Sequence, residues 1–230
     1  MRKTRLPGAP TAVTVVVYDL REPFDAGLLS DQERARVARF ASRDPARRWA
    51  AGRAGLRQVL AGALQADPSE LVIAPGPSGK PRLAGSQLKF NKSDSGELAA
   101  VALCDSREVG LDIERHRDVK RAGRIARRFF SVAEQQQLAA LPVGLRHRAF
   151  FDCWTLKEAV LKCDGGGLGA IPMASYSAPL DPEWNGTISE RWYGARPNVG
   201  PDVSAAVALA GRAAAAVTVT SRKGDVLARV

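Results

Sequence analysis

Two capping boxes constrain this chain more than any other local signal. Ser30-Asp31-Gln32-Glu33 and Ser131-Val132-Ala133-Glu134 each set a serine three residues ahead of a glutamate. In that spacing the serine hydroxyl accepts from the third helical N–H, and the glutamate reaches back to the serine's own N–H. The first box predicts a helix to about Phe40. The second predicts one to about Leu141, stopped by Pro142 and Gly144. Apolar strings that favour strands precede both: Ala12 to Tyr18 before the first, and Leu88–Asn91, Leu98–Cys104 and Val109–Glu114 before the second. A chain carrying both kinds of signal is a mixed α+β protein.

Further helices are predicted from Asp44-Pro45, with Asp as cap and Pro in the first turn, to about Gln65, and over Arg121–Phe130. In the first of these Leu56, Val59, Leu60, Ala63 and Leu64 recur at helical spacing, and Asp67-Pro68 ends it. A long helix spans about Leu145 to Cys163 and stops at Gly165-Gly166-Gly167. Pro75 to Pro81 is a loop by composition. Met173–Ser177, Trp184–Tyr193, Val203–Ala210 and Ala213–Thr220 are strand-like. The order suggests two similar α/β halves in a pseudo-twofold arrangement, residues 1–106 and 107–230, meeting near Ser106.

Composition narrows the function class. Net charge is +10, from 34 Lys and Arg against 24 Asp and Glu, which favours encounter with a polyanion: nucleic acid, an acidic protein or a phosphorylated small molecule. Cys104, Cys153 and Cys163 form neither a disulfide framework nor a zinc pattern, and read as reduced core thiols of a cytoplasmic protein. Arg2, Lys3 and Arg5 ahead of the apolar run look faintly like a signal peptide. Pro7, Pro10 and Asp19 argue instead for an opening strand. No apolar run reaches the ~20 residues that a membrane span needs.

Three segments carry chemistry. In Val109-Gly110-Leu111-Asp112-Ile113-Glu114, strand alternation puts Asp112 and Glu114 on one face, about 7 Å apart, where two carboxylates can share a hard divalent cation. In Trp154-Thr155-Leu156-Lys157-Glu158-Ala159-Val160-Leu161-Lys162, Glu158 and Lys162 share one helix face, with Lys157 beside them. Phe90-Asn91-Lys92-Ser93-Asp94-Ser95-Gly96, preceded by Gly79-Lys80-Pro81, offers hydroxyl and backbone donors to a phosphate. Taken singly these are a solvated strand face, a surface ion pair and an ordinary turn.

Together, in this order and spacing, they resemble the 4′-phosphopantetheinyl transferase superfamily, in its longer, monomeric, surfactin-synthetase-activating type. That family carries a G-[ILV]-D-[ILV]-E strand, then a W-[STC]-x-K-E-[AS]-x-x-K helix, with a G-K-P loop and an F-N-x-S-H-S segment upstream. The likeness runs from about Ser30 to Leu168. It implies that Asp112, Glu114 and Glu158 hold Mg²⁺ (or Mn²⁺) and that Glu158 takes the proton of the attacking serine. Lys162 serves the departing 3′,5′-ADP and Lys157 neutralises phosphate charge. It places Ser93 and Asp94 in the phosphate pocket, Lys80 and Gly79 against the adenine end, and Arg36 and Arg48 near the 3′-phosphate of coenzyme A. The implied partner is an acidic acyl or peptidyl carrier protein, with no nucleic acid, no membrane and a monomeric state.

Asp94 departs from the pattern, which has histidine there. A carboxylate about 4 Å from a phosphate, at an effective dielectric near 20, would repel it by about 4 kcal/mol unscreened. Asp94 therefore turns away, joins the metal shell or weakens coenzyme A binding. It is also the sole support for the alternative of a degenerate member that binds without transferring. Lys92 can offset the charge, whereas His116 and His147 read as a loop and a helix-surface residue that do not replace the missing imidazole. A nucleic-acid-binding reading rests only on the basic run Arg117 to Arg128 and on Phe129-Phe130, which look more like core.

Overall fold

The computed structural model describes residues 11–76, 78–166, 171–222 and 224–229. The basic N-terminal residues and Pro7 and Pro10, with Pro77 and Gly167, lie outside them. The valine-rich run is β1 (Thr11–Asp19), and it forms the middle of a five-stranded sheet. It pairs antiparallel with β5 (Leu98–Cys104), which pairs with β4 (Lys89–Ser95). On its other side β1 runs parallel to β10 (Ala215–Ser221), followed by the edge strand β11 (Val226–Arg229). A second sheet, in the order β6-β9-β8-β7, is built from β6 (Val109–Arg115), β7 (Gly186–Ser189), β8 (Trp192–Ala195) and β9 (Val203–Ala210).

Alternation decides the layering. Val13, Val15 and Val17 face inward with Ala100, Ala102 and Cys104, meeting Leu111, Ile113, Val207 and Leu209 of the second sheet. Val16 and Tyr18 face outward with Val101 and Leu103, against Leu56, Val59 and Leu60 of α2 (Arg43–Leu64). On the far side of the second sheet, Leu156, Ala159 and Val160 of α5 (Val143–Asp164) cover Ala206 and Ala208. The order of layers is helix, sheet, sheet, helix. At about 1.5–3 kcal/mol for each fully buried valine or leucine, this double-sided burial is what holds β1 in the interior.

Both capping boxes form, opening α1 (Asp31–Val37) and α4 (Val132–Ala140), and α3 (Ala122–Phe129) lies where it was predicted. Four readings change. Asp44 lies inside the first turn of α2, whose cap position is Ser42. Pro75 and Pro81, read as loop, pair across a small hairpin of β2 (Ile73–Pro75) and β3 (Pro81–Leu83). Met173–Ser175 is a 3₁₀ turn, not a strand. Trp184–Tyr193 splits into β7 and β8 around Glu190 and Arg191. β10 and β11 return from the C-terminal part of the chain to complete the first sheet.

Candidate active site

The two sheets meet along β4 and β6, and they do so without a backbone ladder. Side chains of β4 take its place: Asn91 Oδ1 accepts from Leu111 N–H at 2.9 Å, Ser93 Oγ from Ile113 N–H at 3.4 Å, and Ser95 Oγ from Arg115 N–H at 3.0 Å. Three edge donors that burial would otherwise strand are thereby satisfied. The segment read as a polar turn is therefore strand, and its polarity at every second position is the seam itself.

Gly110 fixes the helix over this seam. A Cβ there would lie 1.9 Å from the Ala159 carbonyl oxygen and 2.4 Å from the Cys163 nitrogen, so α5 can cross β6 only over a glycine. That crossing brings Glu158 and Lys162 over the face of β6 that carries Asp112 and Glu114. Lys162 Nζ lies 2.5 Å from Asp112 Oδ1 and donates to Ser93 Oγ at 3.1 Å, while Ser93 donates to Asp112 Oδ1 at 2.9 Å. Ser95 donates to Glu114 Oε2 at 2.8 Å, and Arg117 pairs with the same oxygen at 2.6 Å.

The carboxylates act on one another electrostatically. Burial pushes the Asp112 carboxyl above its ordinary pKa, against the stabilising Lys162 ammonium and Ser93 hydroxyl. Burial also raises Glu158, helped by the charges of Asp112 and Glu114 and opposed by Lys162. Asp112 Oδ2 is buried without a hydrogen-bond partner among the described residues. Crowded carboxylates and one orphaned oxygen suit a hard divalent cation. Among the described residues no three His, Cys, Asp or Glu side chains are grouped so that they could hold a metal ion as they stand. The ammonium of Lys162 is the cation that Asp112 holds here.

Lys92 and Asp94 project from the opposite face of β4 and form an ion pair. Asp94 therefore turns away from the carboxylates. It shares a pocket of about 290 Å³ with Arg48, Arg53 and Trp49. That pocket adjoins a cleft of about 900 Å³ lined by Arg36, Phe40, Trp49, Arg53 and the hairpin residues Pro75 and Gly79. Arg36 lies over the Trp49 ring at 5.0 Å, and Arg48 pairs with Asp44 and approaches Glu97. Glu33, the glutamate of the first capping box, binds both Arg53 and Arg57 and so locks α1 against α2 beside the cleft. Sequence reasoning passed over Asn91, Ser95, Trp49 and Arg53. The alternation Asn91, Ser93, Ser95 was the available signal for the first two.

Two side chains assigned to coenzyme A lie elsewhere in this structure: Lys157, read as neutralising phosphate charge, and Lys80, read as lying against the adenine end. Lys157 is fully buried; its ammonium pairs with Glu134 at 3.0 Å and donates to the Tyr176 carbonyl at 3.0 Å. One step along α5 from Glu158 turns it about 100°, into the core. Lys80 also leaves the cleft that Gly79 lines. Its ammonium bonds Glu108 at 3.0 Å and the Val109 carbonyl at 2.8 Å, tying the hairpin to the start of β6.

The fold thus sets acidic side chains from a strand and a helix above a polar seam between two sheets. Two family models match the chain. Residues 108–217 match the 4′-phosphopantetheinyl transferase superfamily, and residues 23–106 match the N-terminal region of 4′-phosphopantetheinyl transferases. The chain is 36% identical over 186 residues to the 4′-phosphopantetheinyl transferase HetI of Nostoc sp., covering 74% of this chain and 78% of HetI. It is 31% identical over 153 residues to the 4′-phosphopantetheinyl transferase Sfp of Bacillus subtilis, covering 66% of each. Against AcpT of Salmonella typhi the identity is 39% over 134 residues, 57% of this chain and 65% of AcpT. The chain belongs to the 4′-phosphopantetheinyl transferase superfamily. No described helix is long and apolar enough to cross a membrane.

Proposed function

We propose that this protein transfers the 4′-phosphopantetheine arm of coenzyme A to a serine hydroxyl of an acyl or peptidyl carrier protein, releasing 3′,5′-ADP, as a cytoplasmic monomer. The observation that carries the reading is the meeting of Asp112, Glu158 and Lys162 over the β4–β6 seam. Asp112, Glu114 and Glu158 would hold Mg²⁺, or Mn²⁺ in its place, which supplies charge neutralisation at the pyrophosphate. In this reading the serine oxygen attacks the phosphorus that bears the pantetheine arm, and the bond from that phosphorus to the ADP oxygen breaks. Glu158 takes the serine proton, directly or through a water it orients.

Lys162, released from Asp112, places its ammonium on the departing phosphate. Such transfer depends mostly on positioning and charge stabilisation, which these groups provide. Arg36, Arg48 and Gly79 take the adenine and 3′-phosphate end, in the cleft beside Trp49. Asp94 leaves this reading intact, because Lys92 offsets its charge on the face away from Ser93. Lys80 and Lys157 take no part in it. The test is intact-mass spectrometry of a panel of carrier proteins incubated with coenzyme A and Mg²⁺. A gain of one phosphopantetheine is expected, lost in the folded Glu158→Ala variant. No gain on any carrier, or full activity of that variant, overturns the reading.

A further inference from the structure

We propose that Ser95 is a positioning residue, whose hydroxyl fixes the Glu114 carboxylate as one wall of the cation site. The inference rests on the reading of Asp112, Glu114 and Glu158 as that site, and it adds a residue that the sequence signals do not assign. Ser95 and Ser93 do the same two things at successive positions on the β6-facing side of one strand. Each accepts a backbone N–H from β6, Ser93 from Ile113 and Ser95 from Arg115. Each also donates to the carboxylate one residue earlier on β6, Ser93 to Asp112 Oδ1 at 2.9 Å and Ser95 to Glu114 Oε2 at 2.8 Å.

The hydroxyl chemistry explains why the two jobs go together. A serine hydroxyl has one proton to give and lone pairs to receive. Once the β6 N–H occupies a lone pair, the proton is free for the neighbouring carboxylate. That donation anchors one carboxylate oxygen and sets the direction of the other. In both pairs the anchored oxygen also meets a cation, Lys162 at Asp112 and Arg117 at Glu114. The oxygen left over at Asp112, Oδ2, is buried without a partner among the described residues. At Glu114 it is Oε2 that takes both the Ser95 and the Arg117 contacts.

Hydrogen bonds to the ligating carboxylates of a metal site orient them, and their removal typically weakens metal affinity about 10–100-fold. Ser95 is nine-tenths buried, so water does not readily substitute for its hydroxyl. Glutamate has one more rotatable bond than aspartate, so Glu114 depends on such a tether more than Asp112 does.

The test uses Mn²⁺ alone as probe, on the full chain without coenzyme A, by loss of the free-Mn²⁺ EPR signal; urea unfolding is measured in parallel. Ser95→Ala is expected to weaken Mn²⁺ binding about tenfold or more, while Ser95→Thr, which keeps the hydroxyl, binds like the wild type. In a Glu114→Gln background Ser95→Ala should add no further loss. If Ser95→Ala does not fold, Ser95→Cys keeps the shape with only a weak donor and should show the same loss.

A hydroxyl that only caps Arg115 would lower the urea midpoint and leave Mn²⁺ affinity unchanged. That result overturns the proposal while the cation site stands, provided Glu114→Gln weakens Mn²⁺. If Glu114→Gln binds Mn²⁺ like the wild type, or the wild type binds none, the underlying reading fails as well.

Discussion

Replacing Gly110 by alanine puts a single methyl group where α5 crosses β6. The nearest atoms are main chain: the Ala159 carbonyl oxygen at 1.9 Å and the Cys163 nitrogen at 2.4 Å, where ordinary contact begins at 3.4 Å. The helix must therefore retreat by about 1.5 Å, the gap between the first and last of those distances, because no flexible side chain can yield in its place. Overpacking of this kind costs about 1–3 kcal/mol, and the backbone target puts Gly110→Ala at the upper end, near 3 kcal/mol.

The same retreat carries Glu158 and Lys162 away from Asp112, and a misplacement of about 1 Å can cost about 100-fold in rate. Urea unfolding and carrier-protein transfer, measured on one preparation, should show both losses. Gly62→Ala is the matched control. A Cβ at Gly62, on exposed α2, meets nothing within 4 Å, and alanine there should stabilise by up to ~1 kcal/mol through helix propensity alone. A Gly110→Ala protein with wild-type stability and turnover would refute the claim that this glycine sets the height of α5 above the site.

Three other expectations follow from the buried charges and the hairpin. Burial pushes the Glu33 carboxyl upward, but hydrogen bonds from Arg57 and from Ser30 N–H, with the charge of Arg53, hold it below its ordinary value of 4.5. Its contribution to stability is therefore complete above pH 4.5 and is lost as pH falls through the lower folded value; Glu33→Gln should flatten that acid limb in unfolding curves taken from pH 6 downward. Lys157→Met leaves Glu134 charged and unpaired in the core and should cost about 3–5 kcal/mol, with Glu134→Gln restoring much of it. Its folded fraction should keep the wild-type KM for coenzyme A, whereas Lys162→Ala should lower kcat; a KM rise in Lys157→Met would return that lysine to the phosphate. Lys80→Met should loosen the hairpin from β6 and raise the KM for coenzyme A with kcat little changed, and an unchanged KM would separate the hairpin from the cleft.

The readable parts of the sequence were those whose signal is local. Ser30 and Ser131 each form the predicted reciprocal box with the glutamate three residues on. β5 and β9 have the predicted bounds, because Leu98–Cys104 and Val203–Ala210 are buried almost throughout. Asp112 and Glu114 could be set on one face by alternation alone. For the seam, alternation marked the polar positions but not what they face. Ser93 and Ser95 look like turn residues until β6 is known to lie beside them, and that neighbour is fixed by the whole layering of the sheets.

Lys157 and Lys162 were both read as cations of the phosphate site, though only Lys162 shares the Glu158 face. Leu156, Ala159 and Val160 around Lys157 hinted at its burial, but Glu134, its partner, lies on a different helix. β11 went unseen because its short, half-polar run becomes a strand only by pairing with β10. The first sheet's use of C-terminal strands had no sequence signal, since parallel pairing of β1 with β10 joins opposite ends of the chain.

Crystals soaked with Mn²⁺ and coenzyme A, with diffraction recorded at the manganese edge, address the cation directly. One anomalous peak should appear within ligand reach of Asp112, Glu114 and Glu158, with the Lys162 ammonium moved off Asp112. A peak elsewhere, or Lys162 still seated on Asp112 in a coenzyme A complex that turns over, would contradict the account.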